Sequence, residues 1–132
     1  MTKSVDYEMK MIVSWQLPIK TARESNSSEH WAKKAKRHRL QKIKIKSAFL
    51  KDRPQIEIPC HVILTRISPR SLDCHDNLPM SFKWIVDSIC DYIFPGMAAG
   101  RADDSKEITW EYRQEKGKVR EYAIKIEIFK EK

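Results

Sequence analysis

Between Val5 and Leu17 every second residue is apolar: Val5, Tyr7, Met9, Met11, Val13, Trp15 and Leu17. The residues between them are mostly polar. A period of two held over this length belongs to a half-buried β-strand, because successive side chains leave a strand on opposite faces. Pro18 ends it. One buried face must be covered by another layer, so the rest of the chain has to supply both further strands and a cover.

Both follow in order. Asn26, with Glu29 three positions later, fits a capping-box helix start, and a helix is expected from there to about Leu50. Its apolar positions are sparse: Trp31, read as its core anchor, then Ala35, Ile43 and Ala48 to Leu50. "RPQIEIPCHVILTRISP" reads as a second strand with Ile58, Cys60, Val62 and Leu64 on one face. Ile63 and Ile67 on its other face mark it as central and covered on both sides. Leu78, Phe82, Ile85, Val86, Ile89 and Ile93 then trace one buried stripe of a second helix. "KEITWEYRQ" and "VREYAIKIEIF" alternate again and, joined around Gly117, predict a hairpin. The order is β-α-β-α-β-β, with no repeat and no linker. It predicts a single α+β domain over residues 1–132, a mostly antiparallel or mixed sheet of about four strands with two helices on one face.

The chain of 132 residues carries a formal charge of +8. A small domain this basic commonly meets a polyanion, most often nucleic acid. The charge is concentrated on the first helix: Lys33, Lys34, Lys36, Arg37, Arg39, Lys42, Lys44 and Lys46. There is no apolar run near the roughly 18–20 residues that span a bilayer, and the N-terminus lacks a signal peptide's apolar core. A cytosolic protein is expected. The three cysteines, Cys60, Cys74 and Cys90, form no CxxC pair, which argues against a disulfide framework and a zinc knuckle.

Against this basic background "LDCHDNLPMSFKWIVD" places Asp73, His75, Asp76 and Asn77 ahead of the second helix, which also carries Lys83. Two readings stand side by side. In one, Asn77 is an N-cap, Pro79 sits in the first turn, and Asp76 favours the positive end of the helix dipole. In the other, Lys83 and Asp87 follow Asp76 at helical spacings on one face, and Asp103 and Asp104 arrive on a later loop. Loops at one sheet edge can gather Asp73, Asp76 and Asp103 or Asp104. Carboxylates that close need a hard cation, and Mg²⁺ would reconcile them with a phosphate by bridging the two. Lys83 would add positive charge for the transition state.

As an ordered set, Arg70, Asp73, "HDNL" at His75 to Leu78, Lys83, Asp87 and the pair Asp103–Asp104 resemble the RusA family of Holliday junction resolvases. "SNSSEHW" at Ser25 to Trp31 is similar to the stretch leading into that family's basic helix. The resemblance spans most of the domain. It implies a small, phage-type, dimeric endonuclease that needs Mg²⁺, with Mn²⁺ as a substitute, and acts on branched DNA in the bacterial cytoplasm. It implies a catalytic role for Asp73, Asp76, Asp104 and Lys83, with metal on Asp73, Asp76 and Asp103 or Asp104. Asn26, His30, Lys33, Lys34, Arg37, Arg70 and Asn77 would contact DNA. Two spacings depart from the family pattern: two residues separate Asp73 from Asp76 where the family has one, and Lys83 lies one turn late. The alternative is a non-catalytic nucleic-acid-binding module in which "HDNLP" is only a cap.

Overall fold

The computed structural model describes residues 9–22, 24, 29–73, 77–93 and 107–131. Its elements are β1 (Met9–Leu17), α1 (Trp31–Asp52), β2 (Cys60–Ser68), α2 (Asn77–Ser81), α3 (Lys83–Ile93), β3 (Ile108–Lys116) and β4 (Ala123–Glu131). The strands form one mixed sheet in the order β1-β4-β2-β3. β4 is antiparallel to both β1 and β2, whereas β2 and β3 are parallel. The fold is the α+β arrangement that the sequence predicts, with the second helix in two pieces.

The core lies between the sheet and the two long helices. Ile45 and Phe49 of α1 and Ile85 and Ile89 of α3 cluster with Cys60, Val62 and Leu64 of β2 and with Ile124, Ile126 and Ile128 of β4. Those strand residues alternate, so both helices cover the same face. Aromatic rings bind the layers: Phe49 meets Trp15 edge-on at 4.8 Å and stacks on Tyr92 at 4.5 Å. On the opposite face no described helix packs. Ile63 there, flanked in register by Glu127 and Glu111, is nevertheless buried.

The expected β3–β4 hairpin does not form. β2 lies between those two strands and bonds to both. Alternation decides which side chains face the core but not which strand is the neighbour. β2, buried along almost its whole length, takes the centre. Gly117 is needed for a different reason. The connection from β3 to β4 crosses the end of β2, where the Gly117 N–H donates to Ser68 O at 2.8 Å. A Cβ at Gly117 would sit 3.0 Å from Glu121 O and 3.1 Å from Ile67 Cγ2.

The alternation in β1 is also interrupted. A bulge between Met11 and Val13 brings Ile12 and Val13 both against the core and leaves Met11 half exposed. Val5 and Tyr7 lie outside the described residues. Ile58 precedes β2 and is exposed, next to a cis Ile58–Pro59 bond. Among the described residues no helix is long and apolar enough to cross a membrane.

Candidate functional site

The basic helix begins later than the capping-box spacing suggests. Its N-cap is His30, whose Nδ1 accepts from Ala32 N at 3.1 Å. Asn26 lies outside the described residues. The buried positions of α1 begin only at Arg37 and continue through Gln41, Ile45, Ala48 and Phe49. The first turn and a half therefore overhangs the core, and Trp31 is 76% exposed rather than a core anchor. Its indole stacks on the His30 ring at 5.5 Å. Lys33, Lys36, Arg39, Lys42 and Lys46 point outward along the same helix. Lys34 is half-buried and donates to Glu24 O at 3.2 Å.

Arg37 turns inward. Its guanidinium grips Glu24 at 2.5 and 3.2 Å and Glu29 at 2.8 and 3.4 Å. The guanidinium expected to contact DNA is thus engaged by two carboxylates of its own chain. Burial alone would push the Glu24 carboxyl up, but hydrogen bonds from Arg37 and His38 outweigh it and hold it below the ordinary range. Burial would likewise weaken Arg37's hold on its proton, yet the bonds to Glu24 and Glu29 raise its pKa further. His38 Nε2 lies 2.9 Å from Glu24 Oε1, and its ring packs on Trp84 of α3 at 4.5 Å.

Asp73 sits where the chain re-enters helix. Its side chain accepts from Asn77 N at 3.4 Å and from Asn77 Nδ2, and its carbonyl accepts from Leu78 N at 2.9 Å. Asn77 is thus the first helical residue rather than the cap, and Asp73 holds the turn. The next helix is broken at Phe82. In a continuous helix Leu78 O would accept from Phe82 N, but Ser81 Oγ donates to it at 2.7 Å and Phe82 N turns to Pro79 O at 3.1 Å. The break falls ahead of Lys83, so the helix expected to run on from Asn77 is interrupted there, while Lys83 and Asp87 keep their i,i+4 spacing within α3. Lys83 opens α3, exposed, with its Nζ 5.6 Å from the Trp84 ring.

Cys74, His75, Asp76, Asp103 and Asp104 lie outside the described residues. Because β2 and β3 are parallel, the stretch after β2 and the stretch before β3 leave opposite ends of the pair. Leu72 N and O are both bonded by the Gln114 side chain, six residues or about 20 Å along β3 from Ile108. Among the described residues no group of three or more metal-ligating side chains is gathered. Asp73 is exposed and offers hard oxygen donors that fit Mg²⁺.

Sequence reading missed Arg66. It occupies a core-face position of β2 and is buried, with Nε donating to Thr21 Oγ1 at 2.9 Å and Nη1 to Arg70 O at 2.6 Å. Burial lowers its pKa. Arg70, predicted to bind DNA, is exposed and its carbonyl serves Arg66. The signal was available: an arginine in register with Cys60, Val62 and Leu64 at period two must be buried or end the strand. Comparison with known families, with curated proteins and with solved structures finds no match.

Proposed function

We propose that this chain is a Mg²⁺-dependent, structure-selective endonuclease that cuts branched DNA, acting as a homodimer in the cytoplasm of a phage-bearing bacterial host. One observation carries the reading. Trp84 at the start of α3, with Lys83 Nζ 5.6 Å from its ring, packs on His38 in the N-terminal half of the lysine helix. Lys83 is thereby set beside a lysine-rich surface suited to phosphates. The outward lysines would hold backbone without reading sequence, and the exposed Trp31 offers a face for an unpaired base. Asp73, Asp76 and Asp103 or Asp104 would hold the ion. When bound, Mg²⁺ supplies a Lewis acid at the scissile phosphate. Asp73 fixes the turn that presents the segment, and Lys83 offers positive charge for the leaving oxygen.

A second reading has its own support. Both Asn77 donors converge on the Asp73 side chain, as a purely structural cap requires. On that reading the protein binds nucleic acid and does not cut it. Cleavage of a labelled four-way junction, with Mg²⁺ or EDTA and with matched linear duplex, separates the two. Paired nicks on the junction alone, dependent on Mg²⁺ and lost in Asp76→Asn with binding retained, are expected. Salt-sensitive binding without cleavage in any divalent metal would leave only the binding module.

A further inference from the structure

The sheet order leaves β1 and β3 with one neighbouring strand each. At the start of β3 the Glu107 carbonyl accepts from Cys60 N at 2.9 Å, and past its end the Gly117 N–H donates to Ser68 O at 2.8 Å. Backbone groups alternate in direction along a strand. The odd-numbered residues of β3 therefore bond β2, and the N–H and C=O of Trp110, Gln114 and Lys116 point away from it. No described strand meets them. The nine residues of β3 run in unbroken register with β2, without proline or bulge. An edge this long and regular is a template for another strand unless it is blunted. β1 is blunted by the bulge between Met11 and Val13. β3 is not, and past Ile108 its residues are all half-buried or exposed, the core-side Trp110 and Gln114 included.

The order of charges along β3 selects the occupant. Glu111 and Arg113 lie on the sheet face that no described helix covers, where Glu111 also meets His61 Nε2 at 3.3 Å. Set β3 antiparallel to β3 of a second copy, with Trp110 opposite the partner's Gln114. Glu111 then falls opposite the partner's Arg113, and the two-fold axis repeats the pair. These are non-hydrogen-bonded positions, about 4.5 Å apart at Cα, close enough for ion pairs. The full length of β3 overlaps, for about ten backbone hydrogen bonds. A slip of two residues one way sets Glu111 against the partner's Glu111, and the other way Arg113 against the partner's Arg113. A slip of one turns the bonding groups of one strand away. The lysine helix favours the same edge. α1 lies over the β1 side, with Phe49 on Trp15 and Lys44 on Pro18 O, whereas β3 carries Tyr112 stacked on Phe82. Pairing at β3 holds the two lysine rows at opposite ends of the joined sheets. Pairing at β1 would bring them together, against a charge of +8 on each chain.

We propose that β3 is the interface with a second copy of this chain, paired antiparallel with itself so that two sheets become one. That the protein is a homodimer rests on the function proposed above; the edge and its register rest on strand geometry and charge. The test is sedimentation equilibrium of the full chain at micromolar concentration and physiological salt, with circular dichroism to check the fold of each variant. The wild type should sediment as a dimer. Glu111→Arg and Arg113→Glu each set like charges opposite one another at two symmetry-related positions, and each should weaken the dimer roughly tenfold. The double variant Glu111→Arg/Arg113→Glu should restore it. Lys10→Glu, on the β1 edge, should leave it unchanged. A monomer throughout the micromolar range would overturn the inference, as would a dimer indifferent to both single reversals or one that the double variant fails to restore. None of these readouts needs DNA. A protein that dimerises this way yet cuts no junction loses the nuclease and keeps the interface, and a junction-cutting monomer does the reverse.

Discussion

Arg37 separates an inward from an outward use of the basic helix. Its side chain is 7% exposed and that of Glu24 6%, with Glu29 at 23%. Arg37→Met keeps much of the volume and strands Glu24 in the interior with His38 as its remaining described ion-pair partner. Breaking a buried pair by removing one partner costs about 3–5 kcal/mol. At roughly 4 °C per kcal/mol for a domain of this size, the melting temperature should fall by about 12–20 °C. The neighbouring outward change Lys36→Met should stay within about 0.5 kcal/mol. The deficit also has a pH signature. A carboxylate whose folded pKa is depressed, as Glu24's is, contributes fully above the unfolded value and less as pH falls through the folded one. Arg37→Met removes the bonds that hold that value down and leaves the upward push of burial. The difference between wild type and variant should therefore be largest at neutral pH and shrink as acid protonates the stranded Glu24. Thermal melts of the three proteins at neutral pH and at about pH 4 measure it. An Arg37→Met protein that melts with wild type while losing DNA affinity would refute the inward assignment and restore Arg37 as a phosphate contact.

Gly117→Ala should destabilise by about 1–3 kcal/mol, because the new methyl meets the Glu121 carbonyl and Ile67 where the chain crosses β2. Urea denaturation checks it, and an unchanged midpoint would mean the crossing is looser than described. The Cys60 thiol, buried and pushed up to about 11, should resist thiol-disulfide reagents at neutral pH until the protein unfolds. Mass-spectrometric mapping of labelled native and denatured protein reads this out, and fast native labelling of Cys60 would contradict its burial.

What local pattern can carry, the sequence carried. Period two marked β1, β2, β3 and β4, and the stripe from Leu78 to Ile93 marked the covering helix, because burial on one face is written into the spacing of apolar residues. The lysine row on α1 was legible for the same reason. The α+β class and element order followed from these alone.

The candidate site was legible only in part. Asp73, Lys83 and the outward lysines could be named as residue types, and the structure sets Lys83 against α1 through Trp84 and His38. Their detailed roles were not readable, because each depends on a partner distant in the chain or on a local competition for one hydrogen bond. Ser81 outbids the helix for Leu78 O, and His30 displaces an expected Asn26 cap.

The sequence by itself thus determined which segments are strands, which are helices, and where the charge is strung. Tertiary structure alone decided that β2 separates β3 from β4, that Arg37 faces two glutamates, and that Trp31 projects beyond the core. The physical reason is common to all three. Alternation and helical period fix the face a side chain takes, while its neighbour across that face is chosen by packing among elements far apart in sequence.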